Sequence, residues 1–412
     1  MVNSFVDFVF FAYVFIGLYM LALFVFIYFP NRKKVFDYPP GRIEGVTIVI
    51  PCYNEAKEIG AGIKSLVSLD WPKDKLEIIV VDDKSTDNSV EVVRKYVKKY
   101  DNVKLIVNER NSGGAAEPRN IGIRASKFDY VAVADADSTP NPDALKKMIG
   151  FLQTDKKVGA VTCTILTKNP KTFIQKLQAI EYAVIAFNRK LLDMVDAVYV
   201  TPGPFALYDK KVLFEVGLFD VKNMTEDIEI SWKMMSRGYL TRMSLATRTY
   251  SETPNSFKKW WKQRIRWNIG GKQTLWKYRK YLFRRHMLGF FVVPWFATSL
   301  FLGVFGLGLF AYLIFKRVLV SYLSTKYSIY ASSTIVSLQD LTFSPSILNF
   351  FGGVLFVLGG AFTILSLTIL SDSTAKNNKI FNILFYLTIY LALYPFIVVH
   401  AIYKMIRRNY TW

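Results

Sequence analysis

The chain has 412 residues, room for a globular domain plus a membrane part. It is 52% hydrophobic, with 33 Phe and 24 Tyr, which argues against a purely soluble protein at a formal net charge of +21. Two histidines argue against a His-based triad or multi-His metal site, and Cys52 and Cys163 sit in no metal-ligand spacing, so free thiols are expected.

Residues 5–29 form an apolar run long enough to span a bilayer. The run lacks a basic n-region and a small-residue cleavage site, so a retained anchor is expected rather than a signal peptide. Arg32, Lys33 and Lys34 follow at once and place that end in the cytoplasm. The basic balance fits the cytoplasmic face of a membrane better than nucleic acid, because the apolar runs are long.

From about residue 45 to 250 the pattern is soluble α/β. Val46-Thr47-Ile48-Val49-Ile50 predicts a buried strand, with a helix following to about Leu69. Residues 76–81 predict a strand, 87–97 a helix, 103–107 a strand, 117–126 a helix and 130–134 a strand. Alternation of this kind implies a Rossmann-like, mostly parallel sheet covered on both faces. Ligands bind outside the carboxyl ends of such strands. Three of those ends read Pro51-Cys52-Tyr53-Asn54-Glu55, Asp82-Asp83 and Asp135-Ala136-Asp137. Residues 251–287 are rich in Lys, Arg, Trp and Tyr and fit helices lying in a membrane interface. Apolar spans are expected at 288–315, 347–370 and 380–402. Four spans place the carboxyl terminus outside, yet Lys404, Arg407 and Arg408 favour the cytoplasm, so 318–338 is a candidate for an additional membrane element.

Asp135-Ala136-Asp137 offers two hard oxygen ligands one residue apart. Mg²⁺ takes one or two carboxylates plus substrate phosphates, and Mn²⁺ suits the same donors. A lone pair of this kind is commonly a solvated loop acid; the second acid pair at Asp82-Asp83 shifts the balance. Thr225-Glu226-Asp227 opens a helical pattern, where acids are also favoured by the macrodipole. A carboxylate there can serve as a general base if burial or a neighbouring acid raises its pKa. Gln263-Arg264-Ile265-Arg266-Trp267 follows about 35 residues later, with Gln263 and Trp267 on one helical face. An arginine can neutralise a leaving diphosphate, and Trp can stack on a sugar ring.

On these motifs the chain resembles the membrane-embedded family 2 glycosyltransferases, which include cellulose, chitin, hyaluronan and poly-N-acetylglucosamine synthases. The resemblance covers nearly the whole chain. It implies an anchor at 1–30, a cytoplasmic GT-A domain at 31–250, interfacial helices at 251–287 and a transmembrane region at 288–412. Tyr53, Glu55 and Asp83 are expected on the uridine, with Pro51, Asp82 and Asp135 sharing the donor site. Asp137, assisted by Asp135, is expected to hold Mg²⁺ or Mn²⁺. Asp227 is the expected base, with Glu226 beside it. Gln263, Arg264, Arg266 and Trp267 are expected on the diphosphate and acceptor sugar, and Gly203 and Pro204 in the acceptor pocket.

Two departures stand out. The Gly-Lys-rich stretch that usually precedes the acid pair reads Asn111-Ser112-Gly113-Gly114-Ala115-Ala116-Glu117-Pro118-Arg119-Asn120, so the lysine's contact falls to Arg119 or is missing. No FxVTxK-like loop follows Trp267, which argues against cellulose. The activity the resemblance implies is inverting transfer from a nucleotide-sugar, a UDP-sugar by the same resemblance, to a growing polysaccharide at the plasma membrane. Single transfer to a lipid acceptor is the alternative. A non-catalytic scaffold is disfavoured by the intact Asp83, Asp137, Asp227 and Trp267. The sequence identifies no protein partner.

Overall fold

The computed structural model describes residues 5–284, 286–331, 347–370 and 379–408. Helix α1 (Phe5–Asn31) leads into a sheet built from β1 (Val46–Cys52), β2 (Leu76–Asp82), β3 (Val103–Val107), β4 (Tyr130–Val133), β5 (Thr139–Pro140), β6 (Val158–Thr167), β7 (Ala206–Asp209) and β8 (Leu240–Ser251). The order is β3-β2-β1-β4-β7-β6-β8-β5. Strands β3, β2, β1 and β4 run parallel, with Val46 opposite both Leu76 and Tyr130. Strand β7 is antiparallel to both β4 and β6, and β6 is parallel to β8.

Period-2 side-chain alternation divides the strands between two cores. Ile48, Ile50, Ile78 and Val80 face α2 (Ile59–Val67) and share a core with Ile63. Val49, Ile79, Val81 and Val131 face the other way, with Ile123 of α4 (Ala116–Ala125) and Ile230 of α8 (Glu226–Ser236). Helices α3 (Ser89–Lys99), α5 (Ile149–Thr154) and α7 (Lys210–Val216) complete the two layers. The first strands and helices thus lie within a few residues of their sequence-based positions, because each carries a complete hydrophobic period.

Two long helices tie this domain to the apolar ones. Helix α6 (Phe173–Asp193) begins with a capping box between Thr172 and Gln175. Its Phe187 and Leu191 pack on Phe362 of α11 (Ile347–Leu370). Helix α9 (Phe257–Tyr278) is a single helix rather than several interfacial ones. Its Trp260, Ile265 and Ile269 share a core with Leu370, Tyr386, Tyr390 and Ile397.

The apolar helices are α1, α10 (Val293–Ala331, preceded by a π-turn at Leu288–Val292), α11, α12 (Ile380–Phe385) and α13 (Tyr394–Ile406). Among the described residues three helices are long and apolar enough to cross a membrane, and four spans result if the bent pair Ile380–Tyr390 and Tyr394–Ile406 counts as one. That pair is bent by 44°. The proposed additional element at 318–338 is, as far as Ala331, a continuation of α10; its remainder lies outside the described residues. The 39 residues of α10 exceed the roughly 20 that a hydrocarbon core requires.

Candidate active site

The carboxyl ends of β1, β2 and β4 open into a cavity of about 790 Å³. Its wall contains Pro51, Tyr53, Glu55, Asp83, Asp135, Asp137, Gly203, Pro204, Glu226, Asp227, Gln263, Arg266 and Trp267. Residues spread over more than two hundred positions of sequence therefore meet in one space.

The loops after β1 and β2 brace each other. Asn54 adopts a positive φ of 57° and accepts from the Thr86 amide at 2.8 Å. The Glu55 amide donates to Ser89 Oγ at 2.8 Å, and the Ala56 amide to Asp87 at 3.1 Å. Asp83 accepts from Asn108 Nδ2, Ser112 N and Ser112 Oγ at 2.8–2.9 Å, which orients its carboxylate at the cavity edge. Asp82 departs from its expected place in the donor site. It is buried outside the cavity wall and closes its own turn, accepting from Ser85 N at 3.0 Å and Ser85 Oγ at 2.5 Å. The alternation of β2 sends adjacent side chains in opposite directions, so only one acid of the pair can face the ligand.

Arg119 organises the floor. Its buried guanidinium donates to Asp135 at 2.7 Å and to Glu226, joining β4's end to the start of α8. Segment 202–204 lies directly over this pair. A Cβ on Gly203 would stand 2.5 Å from Arg119 Nη2 and 2.9 Å from the Asp135 carboxylate, so any larger residue has to displace that ion pair. Arg119 was raised from sequence only as a possible replacement for a missing lysine.

Asp137 accepts only long hydrogen bonds, from Ser251 at 3.3 and 3.4 Å and from Ser138 at 3.4 Å. Burial and Asp135 push it up to about 7. Burial, with Asp137 second, does the same to Glu55. Crowded carboxylates with unfilled lone pairs are the donor set a hard dication relieves. Among the described residues no group of three or more His, Cys, Asp or Glu has metal-ligand geometry.

Asp227 sits in the first turn of α8. Burial and Glu226 push it up to about 7, against the opposing influence of Arg119 and the Ile228 amide. The position of this turn is set by α9. The Met224 amide donates to Gln273 Oε1 at 3.0 Å, and Asn223 Nδ2 to Thr274 Oγ1 at 2.9 Å. A Cβ on Gly270 would come within 2.2 Å of Thr225 Oγ1, so the helix approaches as closely as backbone allows.

Gln263, Arg266 and Trp267 face the cavity from α9, but Arg264 does not. It is fully buried beneath them and pairs with Glu181 of α6. Its Nε donates to Tyr394 OH at 3.2 Å and its Nη1 to Gln263 Oε1 at 2.7 Å, while its Cζ lies 4.1 Å from the Trp267 ring centroid. Glu181 also accepts from Tyr390 OH at 2.7 Å and from Tyr394 OH. Helical geometry explains the correction: neighbouring positions on α9 diverge by about 100°, so Arg264 and Arg266 cannot share one face. Sequence spacing gave no sign of Glu181, whose partners lie more than eighty residues away.

A curled, mostly parallel sheet with carboxylates at its strand ends and a Gln/Arg/Trp face above is a GT-A-type fold. Residues 47–217 match the family described as Glycosyl transferase family 2, so the chain carries a family 2 glycosyltransferase domain. It is 32% identical over 278 residues to the poly-beta-1,6-N-acetyl-D-glucosamine synthase of Staphylococcus aureus strain COL, covering 66% of each chain. It is 30% identical over 275 residues to the synthase of the same name from Staphylococcus epidermidis, covering 65% of this chain and 66% of that one. The match thus spans about two-thirds of these relatives. The mannosyltransferase PcManGT from Pyrobaculum calidifontis, solved with GDP-Man and Mn²⁺, shares the fold at a TM-score of 0.56 and 17% identity. That comparison covers 97% of this chain and 99% of the other.

Proposed function

We propose that the protein extends a β-linked N-acetylglucosamine polymer from a UDP-sugar donor at the cytoplasmic face of a cell membrane. The observation that carries this reading is the single cavity joining the Asp83 and Asp137 ends of the sheet to Asp227 and Trp267. The similarity to poly-beta-1,6-N-acetyl-D-glucosamine synthases supports the choice of sugar and of a polymeric product.

In this reading Tyr53, Glu55 and Asp83 receive the nucleoside, beside Pro51. Asp137 and Asp135 would hold Mg²⁺ or Mn²⁺, which would supply positive charge against the leaving diphosphate. Asp227 takes the proton of an acceptor hydroxyl as that oxygen bonds to the anomeric carbon and the bond from carbon to diphosphate breaks. One in-line displacement inverts the centre, giving a β-linkage from an α-linked donor. Glu226 maintains the raised pKa of Asp227 and anchors Arg119. Arg266 compensates charge on the departing diphosphate. Trp267 and Gln263 receive the acceptor sugar, with Gly203 and Pro204 forming the opposite wall. Arg264 has no direct part; it fixes Trp267 and Gln263 from below.

Membranes containing the protein, incubated with Mn²⁺ or Mg²⁺ and radiolabelled UDP-N-acetylglucosamine, should yield a high-molecular-weight product. A single sugar on an extractable lipid would replace the polymerase reading with single transfer. Absence of incorporation from every nucleotide-sugar tried would overturn the transferase reading.

A further inference from the structure

Two buried arginines line the cavity, and their surroundings differ. Arg119 is flanked by two carboxylates. Arg189, on α6, is 7% exposed, and its Nε, like that of Arg119, has no hydrogen-bond partner. Among the described residues it forms no ion pair. The Asp227 carboxylate acts on it without contact, and a buried guanidinium that no carboxylate touches is unfavourable unless something else meets it. Retention of such a group on a cavity wall points to a ligand.

The position indicates which ligand. Tyr182, Ile185 and Arg189 all line the cavity and are spaced i, i+3, i+7, so they form one stripe of α6. The reverse side of that helix packs on α11 through Phe187 and Leu191. The stripe therefore faces the cavity with its back to the apolar helices; Asp137 acts on its Tyr182 end and Asp227 on its Arg189 end. Tyr199 and Trp267 complete a wall of aromatic faces. Such a wall suits the C–H faces of a pyranose ring, and a guanidinium offers five N–H donors to its oxygens.

We propose that Arg189 reads the acceptor: its guanidinium donates to a hydroxyl or acyl oxygen of the acceptor glycan's terminal sugar, in a subsite walled by Tyr182, Ile185, Tyr199 and Trp267. The inference rests on the transferase reading above. It assigns acceptor specificity to a residue outside the Asp-Ala-Asp, Thr-Glu-Asp and Gln-Arg-Ile-Arg-Trp segments. Burial also pulls the Arg189 pKa below its usual value, as expected for a cation awaiting a partner.

The test is a pair of titrations on the full-length protein in detergent with Mn²⁺. UDP is titrated first; a β-1,6-linked N-acetylglucosamine oligosaccharide is then titrated into the UDP-loaded protein, with tryptophan fluorescence as readout. Arg189→Gln and Arg189→Met should weaken oligosaccharide binding about 10- to 100-fold, the range for a hydrogen bond to a charged donor. UDP affinity should stay within about twofold. Neither variant should melt below wild type without acceptor, because each removes an unpaired buried charge. Unchanged oligosaccharide affinity in the variants, or a wild type that binds UDP but no oligosaccharide, overturns the Arg189 assignment alone. Competition by inorganic phosphate at this site would make the ligand anionic and overturn the neutral-sugar assignment. Failure of the wild type to bind UDP sinks the transferase reading and takes the Arg189 assignment with it.

Discussion

Replacing Asp227 by Asn keeps the shape of the side chain and removes its charge, so activity and stability should move in opposite directions. The carboxyl is pushed from 3.8 to about 7, first by burial and then by Glu226. Between those values the folded state retains a proton that the unfolded state has lost, so stability falls as pH rises across that window. A shift of about 3 units at 1.36 kcal/mol each sets a ceiling of about 4 kcal/mol on the cost of the charged group at about pH 8. At about pH 5 the same reasoning leaves roughly 1.5 kcal/mol. The Arg119 attraction is lost in the variant and lowers both figures. Asp227→Asn should therefore melt several degrees above wild type at about pH 8 and much closer to it at about pH 5, by scanning fluorimetry in detergent. Transfer should fall about 100- to 10,000-fold while UDP binding persists. A variant that melts below wild type at both pH values would refute the burial argument, and one that transfers at the wild-type rate would remove Asp227 from the base role.

The wild-type initial rate should rise as pH increases through about 7, since a base must be deprotonated to act; a flat profile from about pH 5.5 to 8.5 would contradict this. Glu181→Gln should lower the melting temperature and weaken acceptor binding together, because it leaves Arg264 without its buried counter-charge at a cost of about 3–5 kcal/mol. Rescue by a paired Glu181→Met and Arg264→Met substitution would be read as recovered stability without recovered acceptor affinity. Gly270→Ala should displace the start of α8 and reduce transfer at least about tenfold, with about 1–3 kcal/mol of destabilisation. Chelation with EDTA should abolish transfer, and Mn²⁺ or Mg²⁺ should restore it, measured as labelled polymer.

Much of the fold was legible because its determinants are local. The runs at Val46–Cys52 and Leu76–Asp82 each carry an almost wholly buried strand, and Val103–Val107 a short edge strand with only Val103 buried. The amino-terminal helix and α11 are apolar on every side, which is readable without any partner. Strand β6 and helix α6 were not anticipated. All ten residues of β6 are buried, so it has no alternating pattern. Helix α6 faces the cavity, α9 and the apolar helices in turn, and presents no single amphipathic stripe.

The sequence by itself determined which residue types the site contains: an acid pair after a strand, an acid pair opening a helix, and a Gln/Arg/Trp cluster. These are short-range patterns, and chain order preserves them. Only the tertiary structure decided which member of each pair faces the cavity. Asp83 does and Asp82 does not, because strand neighbours point to opposite sides. Arg266 does and Arg264 does not, because Glu181, Tyr390 and Tyr394 hold the latter beneath. The pairing of Arg119 with Glu226 and the unpaired state of Arg189 belong to the same category. Charge compensation in a buried site depends on separations through space, and two arginines that look alike in a sequence acquire different chemistry once two carboxylates touch one and none touches the other.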